Sequence, residues 1–272
     1  SEYSYACKKL GIKILPPDIN YGEGAFSVDH GNIRYGLTAI KSLGRPVIEA
    51  IIRERNLNGP YRDFKDLVER LSSKEINKRT VENLIKSGAL DCFHVTRKQQ
   101  MIVYASVIDS IQKERKNEIA GQMSLMDLLG EEDQQSFQIS YPDVGEYEKE
   151  QKLAMEKEVL GIYVSGHPLE DDIERLERSV TAHTSDFVID EETGKTKIHD
   201  RESCIIGGLI SEMSVKLTKK NQNMAFITLE DLRGTVEVVV FPRQYATYQS
   251  LLREDAKVFI KGTTQISEEE SK

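Results

Sequence analysis

The spacing of apolar residues changes along the chain, and this change limits the folds that the chain can adopt. Between residues 37 and 118, apolar side chains recur at i, i+3, i+4 and i+7, as in Phe64–Leu71. After residue 203 apolar and polar side chains alternate instead, as in Met213–Thr218. The sequence therefore predicts a multidomain α+β protein, with a helical domain at 37–118 and an all-β domain at 203–272.

The all-β part has the element order of an OB-type barrel. Three alternating segments precede a short helix near residues 245–252, and a fourth alternating segment follows at 257–261. The fifth strand of such a barrel is missing, and an open barrel edge is costly. We therefore expect the chain to be a piece of a longer protein, and the lack of an initiator methionine points the same way.

The net charge of −8 conceals an uneven distribution. Residues 30–100 hold 14 Lys/Arg against 8 Asp/Glu, residues 119–202 hold 8 against 21, and residues 203–267 hold 8 against 6. Basic faces on the first and last of these segments can attract phosphates. The acidic segment loses its apolar periodicity over residues 117–150, so it is predicted to contain a linker.

Composition also excludes several classes of protein. No run of 18 apolar residues occurs, so no membrane-spanning helix and no membrane partner are predicted. The three cysteines, Cys7, Cys92 and Cys204, are few and far apart, which favours a reducing cytoplasm over a disulfide framework. Cys92 and His94 lack a second pair of ligands, so no metal and no cofactor are predicted for this chain.

The segment Leu37–Ile48 contains two apolar helical stretches that meet at a short turn, and it resembles a helix-hairpin-helix. In that family the backbone amides of the turn and the next helix N-terminus receive a DNA phosphate. Ser42 stands where the family has its first turn glycine. An ordinary helix–turn–helix packing unit is the alternative. The resemblance predicts DNA contacts at Lys41, Ser42, Leu43, Gly44 and Arg45.

A second, more degenerate hairpin spans Val81–Leu90. Two such hairpins in tandem would hold duplex DNA from one side, whereas a purely structural second hairpin would pack against the first. On the first interpretation, the predicted DNA-binding residues are Lys78, Arg79, Lys86, Ser87 and Gly88.

An apolar island interrupts the polar, Gln-rich segment, and it begins with Gln122, Met123, Ser124, Leu125 and Met126. This pentapeptide resembles the clamp-binding motif of bacterial polymerases, in which a phenylalanine stands at the position of Met126. An apolar pair in a polar tail has no core to join and is available to a partner's pocket. A short helix that packs within the chain is the alternative.

The predicted barrel carries basic and aromatic residues that suit single-stranded DNA, through phosphate attraction and base stacking. The aromatic candidates are Phe226, Phe241 and Phe259. A barrel with surface lysines and core aromatics is the alternative. The residues assigned to DNA binding here are Lys216, Lys219, Lys220, Lys257, Phe259 and Lys261.

The segment Glu158–Leu169 contains Leu-Gly-Ile-Tyr-Val-Ser-Gly-His-Pro-Leu. It resembles a block of the DnaE-type alpha subunits of bacterial DNA polymerase III, and Leu10–Asn20, Ile33–Leu37 and Ile76–Arg79 are also similar to that family. The resemblance covers almost the whole chain. It implies the end of the fingers region at 1–36, tandem helix-hairpin-helix motifs at 37–118, an acidic linker with clamp motif and helices at 119–202, and a truncated OB domain at 203–272.

The resemblance implies template-directed DNA synthesis by a parent chain in the bacterial cytoplasm. The family holds Mg²⁺ with palm carboxylates, which are expected N-terminal to this segment; no Asp-x-Asp pair occurs here, so no catalytic residue is assigned. The implied partners are primer–template duplex at the hairpins, single-stranded template at the barrel, a sliding clamp, and replisome subunits that bind other regions of the parent.

Two other functions fit parts of the sequence. Repair proteins also combine hairpins with barrels, so a stand-alone DNA-binding adaptor is one alternative, although the block at Glu158–Leu169 argues against it. The acidic balance also fits a protein-interaction scaffold, which would bind DNA weakly or without salt dependence.

Overall fold

The computed structural model describes residues 7, 10–71, 75–119, 139–189 and 195–266. They form two compact units, one over Ile12–Ser165 and one that contains the described residues of 1–11 and 166–272. The predicted clamp-binding residues Gln122–Met126 lie outside the described residues. Within the part of the chain that the structure describes, no helix is long and apolar enough to cross a bilayer.

The first unit begins with a small three-stranded sheet. Strand β3 (Asn32–Arg34) lies in the middle, parallel to β1 (Ile14–Leu15) and antiparallel to β2 (Ser27–Asp29). His30 and Gly31 connect β2 and β3 with positive φ angles of 49° and 80°. Two positive φ angles match the right-handed twist of a tight hairpin, which confirms the hairpin that Asp29–Asn32 predicted.

Five helices complete the first unit, and local sequence sets where they begin. Pro46 lies in the first turn of the helix after Gly44, where its missing N–H leaves no bond unmade. The side chains of Asp63 and Asn77 cap the next two helices by accepting from Asp66 N and Thr80 N. The helices are α1 (Arg45–Asn58), α2 (Phe64–Arg70), α3 (Lys78–Lys86), α4 (Arg97–Ile119) and α5 (Lys149–Leu160).

One apolar core joins these helices. The face predicted from Phe64–Leu71 is buried, and so is the face of α3. Helix α4 adds further apolar side chains to the same core. Fully buried members include Ile51, Phe64, Leu67, Leu84, Ile85 and Leu90.

The second unit is built on a curled antiparallel sheet. Strand β4 (Ser203–Leu217) is 15 residues long. Its first half pairs with β7 (Lys257–Thr263), and its second half pairs with β5 (Asn223–Glu230). Strand β6 (Thr235–Val240) pairs with β5, so the sheet order is β6-β5-β4-β7. A helical region followed by this half-barrel confirms the predicted fold class.

Two helices accompany the sheet. Helix α6 (Ile173–Ser179) precedes β4 and packs against it. Helix α7 (Pro242–Tyr248) lies between β6 and β7 in sequence, where the OB-type element order predicted a helix. Alternate residues of the strands point into the barrel core, and these include Ile206, Ile210, Ala225, Ile227, Leu229 and Val236.

The structure divides the predicted linker segment, 119–202, between the two units. Val159 and Leu160 of α5 belong to the helical core. Phe187 and Ile198 belong to the barrel core. The described residues of this acidic segment therefore contribute to both cores.

Candidate nucleic-acid interface

The first predicted hairpin forms a loop between the short 3-10 turn Leu37–Ala39 and α1. Ile40 and Leu43 of this loop are buried and anchor it to the core. Lys41, Ser42, Gly44 and Arg45 are exposed. The loop therefore presents its polar and glycine positions to solvent and buries its apolar ones, so the prediction at Leu43 is corrected to an anchoring role.

The backbone amides of this loop are the feature that suits an anion. Leu43 N donates to Ile40 O at 3.2 Å, and the amides of Val47 and Ile48 both donate to Gly44 O. Among the described residues, the amides of Ser42, Gly44 and Arg45 donate to no acceptor. Unpaired amides at the positive end of a 14-residue helix form a surface where a phosphate is favoured.

Ser42 adopts the left-handed conformation, with φ of 62°. This conformation costs an L-residue about 1–2 kcal/mol, and glycine avoids that cost. The backbone geometry therefore explains why the helix-hairpin-helix family has a glycine where this chain has Ser42. Ser42 therefore departs from the motif in residue type but adopts the left-handed backbone conformation that a glycine would adopt there.

Three cations surround the loop. Lys41 lies in the loop, Arg45 is the first residue of α1, and both side chains are exposed. Arg79, in the first turn of α3, donates from Nη2 to Ser42 Oγ at 3.2 Å. The structure thus brings Arg79 of the second hairpin to the loop of the first, and the two hairpins contribute to one basic surface.

The turn of the second hairpin does not form a second such surface. Ser87 is 0% exposed, and its hydroxyl donates to Leu84 O at 3.0 Å. Gly88 is buried, has φ of 82°, and donates its amide to Ile85 O. No phosphate can reach buried atoms that are already bonded, so the predicted DNA contacts at Ser87 and Gly88 are corrected.

Two predicted DNA-binding lysines are engaged within the protein. Lys78 Nζ lies 2.7 Å from Asp109 Oδ2 in an exposed ion pair. Lys86 Nζ lies 2.9 Å from carboxylate oxygens of both Glu82 and Glu158. Burial alone would lower the pKa of Lys86, but its hydrogen bonds to the two carboxylates raise it. Lys86 therefore holds the helices together rather than offering free positive charge.

On the barrel, the first patch of predicted residues lies at the C-terminal end of β4. Lys216 is exposed, and its Nζ lies 4.8 Å from the centroid of the Phe226 ring. Lys219 and Lys220 are exposed in the turn between β4 and β5. Phe226 is an aromatic candidate of the sequence but is not among the residues assigned to DNA binding. Its alternation with two buried neighbours, Ala225 and Ile227, was the signal that placed it outward.

The second barrel patch lies on β7. Lys257, Phe259 and Lys261 share the outer face, because the intervening Val258 and Ile260 pack on the core. Segment 172–176 covers part of this face: Asp172 Oδ2 lies 2.8 Å from Lys257 Nζ, and Arg175 Cζ lies 5.7 Å from the Phe259 ring centroid. Lys257 is therefore paired, whereas Lys261 is exposed and Phe259 is 41% exposed.

The structure does not join the two barrel patches. In the sheet, Lys257 of β7 lies opposite Leu209 of β4. Lys216 lies further along β4, toward its C-terminal end. At about 3.3 Å per residue, Leu209 and Lys216 are roughly 20 Å apart along β4. A single nucleotide cannot contact both patches at once.

No cluster of metal-binding side chains is found in the described part of the chain. Among those residues, no three His, Cys, Asp or Glu side chains come together to hold a metal ion. Burial raises the pKa of the Cys92 thiol to about 12, so this thiol is protonated and a poor nucleophile at neutral pH.

Comparisons with known families agree with this geometry. A family model described as a helix-hairpin-helix motif matches residues 11–100. A model described as an OB-fold nucleic acid binding domain matches residues 205–271. The two matches cover the loop surface and the barrel patches, respectively, and the description of the second names nucleic acid binding.

Whole proteins that resemble the chain include several that share one name. The chain is 32% identical to the DNA polymerase III subunit alpha of Mycobacterium leprae over 98% of its length, and 35% identical to those of Borreliella burgdorferi and Escherichia coli K12 over 96% and 94%. It spans 22% of each relative, or about a fifth. With its hairpin and OB-fold domains in the expected order, the chain belongs to the DNA polymerase III alpha-subunit family and corresponds to one segment of it.

Proposed function

We propose that this chain is the segment of a bacterial replicative DNA polymerase that holds DNA and the sliding clamp. The observation that carries the proposal is the exposed loop Lys41–Arg45, whose three unpaired amides lie beside three cations. Its relatives are named for a polymerase subunit, which supports DNA as the charged polymer.

The loop is suited to duplex DNA without regard to sequence. Amides, a helix N-terminus and flanking cations recognise phosphate oxygens, and phosphates carry no sequence information. Binding through such contacts releases counterions, so its affinity falls as salt rises. This behaviour fits a polymerase that must hold every primer–template it meets.

Reversing the charge at Arg45 tests the proposal. We expect Arg45→Glu to lower the affinity for duplex DNA about 10-fold at 0.1 M salt and to reduce the salt slope by about one, because one phosphate contact is lost. Fluorescence anisotropy with labelled primer–template at several salt concentrations measures both quantities.

Arg53→Glu is the matched control, since it makes the same charge change on the same helix. Arg53 lies about 12 Å along α1 from Arg45 and pairs with Glu75 at 3.6 Å. We expect its affinity to change less than about 2-fold. Equal losses for the two variants would indicate a diffuse charge effect and would contradict a phosphate site at the loop.

We assign the barrel to the single-stranded template. Lys216 and Phe226 offer a cation and a half-buried ring on one outward face, and Lys219 and Lys220 flank it. Stacking of a base on such a ring contributes about 1–3 kcal/mol. Phe259 and Lys261 form the other patch, and Lys257 joins it once Asp172 releases it.

We further propose that Gln122–Met126 binds the sliding clamp. Leu125 and Met126 form an apolar pair within a polar stretch, and Gln122 supplies amide hydrogen bonds that fix the position of the peptide. A Gln122→Ala, Leu125→Ala, Met126→Ala triple variant is expected to lose clamp binding by surface plasmon resonance while keeping its duplex affinity. Unchanged clamp binding would refute this role.

The chemistry of synthesis belongs, in this proposal, to the rest of the parent chain. Template-directed nucleotidyl transfer with Mg²⁺ requires palm carboxylates that are assigned outside this segment. The segment itself contributes DNA and clamp contacts. We place its action in the bacterial cytoplasm, with other replisome subunits bound to regions beyond it.

A further inference from the structure

We propose that Asn83, in the second hairpin, is a positioning residue that aims the phosphate-binding amide of Ser42 toward solvent. This inference rests on the proposed function of the first loop and assigns a role to the second hairpin. That hairpin does not receive DNA at its own turn, because Ser87 and Gly88 are buried. It holds the first loop in the conformation that does.

The contacts of Lys41 carry the inference. Asn83 is 9% exposed, and its Nδ2 donates to Lys41 O at 2.7 Å across 42 residues of sequence. On the other side, Lys41 N donates at 2.8 Å to Val159 O, near the C-terminus of α5. Both backbone polar groups of Lys41 are thus fixed by other helices.

The geometry of the peptide bond means that this contact also sets the direction of the Ser42 amide. The carbonyl of Lys41 and the amide of Ser42 belong to one planar peptide unit, and no described peptide bond is cis. In a trans unit the C=O and N–H point in opposite directions. Because Asn83 holds the carbonyl on the inner side, the amide of Ser42 points outward, where a phosphate can bind.

The position of Asn83 in α3 supports a specific role. Helical spacing places Asn83 on the same face of α3 as Thr80 and Ser87, which are 4% and 0% exposed, and away from the apolar face of the helix. Asn83 is therefore a buried polar position. Asparagine is a weaker helix former, and a buried amide is costly without hydrogen bonds. The bond to Lys41 O compensates for that cost, and Arg79, one turn earlier, reaches Ser42 on the exposed side.

Asn83→Ala, Asn83→Leu and Gln100→Ala test the inference in the 272-residue chain. Asn83→Leu preserves most of the buried volume and removes the amide that bonds Lys41 O, in case Asn83→Ala does not fold. Gln100 is the control, since it is 0% exposed and its Nε2 donates to Val95 O at 2.8 Å, away from the loop. Thermal unfolding first establishes that each variant is folded at the binding temperature.

We expect both Asn83 variants to weaken duplex binding about 5–10-fold. The salt slope should fall by about one, because a cation beside Ser42 loses its phosphate when the amide no longer holds it. Gln100→Ala should keep the affinity and the salt slope of the parent, although its melting temperature also falls. Asn83 variants that match Gln100→Ala in affinity and slope would overturn the inference.

Arg45→Glu separates this failure from failure of the proposed function. If Arg45→Glu weakens binding and the Asn83 variants do not, the loop binds DNA and Asn83 has only a structural role. If the parent chain and Arg45→Glu bind duplex equally, the loop is not a DNA site, and the role proposed for Asn83 falls with it.

Discussion

Replacing Arg97 with methionine is expected to lower the free energy of unfolding of the helical unit by about 3–5 kcal/mol, because it leaves a buried carboxylate without its cation. The side chain of Arg97 is 1% exposed, and its Nη1 lies 3.0 Å from Oε1 of Glu156, which is 0% exposed. A second carboxylate, Asp91, accepts from Nε and Nη2 of the same guanidinium.

This buried pair links α4 to the segment that carries the family resemblance. Oε2 of Glu156 accepts from the amides of Val164 and Ser165 at 2.8 and 2.9 Å. Burial alone would lower the pKa of Arg97, but its bonds to Asp91 and Glu156 raise it, so the guanidinium stays charged. Val164 and Ser165 of that segment are thus attached to α4 through the carboxylate of Glu156.

Arg62→Met provides the control for Arg97→Met. Arg62 also pairs with a carboxylate, Asp66, at 3.0 Å, but its side chain is 81% exposed. We expect a much smaller loss for Arg62→Met, because solvent screens an exposed pair. Urea denaturation followed by circular dichroism measures both variants, and a similar small loss for Arg97→Met would contradict the structural role of the buried pair.

The second large effect is expected in the barrel, where Gly208→Ala should lower the free energy of unfolding by about 3 kcal/mol. A Cβ at Gly208 would lie 2.4 Å from Glu230 O and 3.0 Å from Glu230 C. These are backbone atoms of the neighbouring strand β5, so no side-chain rotation relieves the clash. Strand β4 would have to move away from β5 at the point where it changes partners.

Gly262→Ala is the matched substitution in β7, since a Cβ there meets no atom within 4 Å. We expect a change smaller than about 1 kcal/mol, with a gain possible because alanine restricts the unfolded chain. Thermal unfolding of the two variants side by side gives the comparison. A Gly208→Ala protein as stable as Gly262→Ala would show that the close approach of β4 and β5 is not required.

Local sequence patterns predicted the elements well, for a physical reason. The face of Phe64–Leu71, the hairpin at Asp29–Asn32 and the period-two strands depend on neighbours within a few residues, and the structure confirms each of them. A sequence also shows where a turn bends, which located the loop at Ser42–Gly44.

Long-range partners explain what the patterns missed. Lys86 pairs with Glu158, 72 residues away, and Lys257 pairs with Asp172, 85 residues away. A count of charges treats all four side chains as solvated surface. For the same reason, the acidic segment 119–202 is predicted from the sequence to contain a linker. The burial of Ser87 depends on helices that pack over it, which its own turn motif does not encode.

The most direct test of the phosphate site is an NMR titration of ¹⁵N-labelled chain with a short DNA duplex. We expect the amide resonances of Ser42, Gly44 and Arg45 to shift most within the helical unit, because their N–H groups bond to a phosphate. The amide resonances of Ser87 and Gly88 should not shift. Duplex binding that shifts the Ser87 and Gly88 resonances and leaves those of Ser42, Gly44 and Arg45 unchanged would show that the first loop is not the phosphate site.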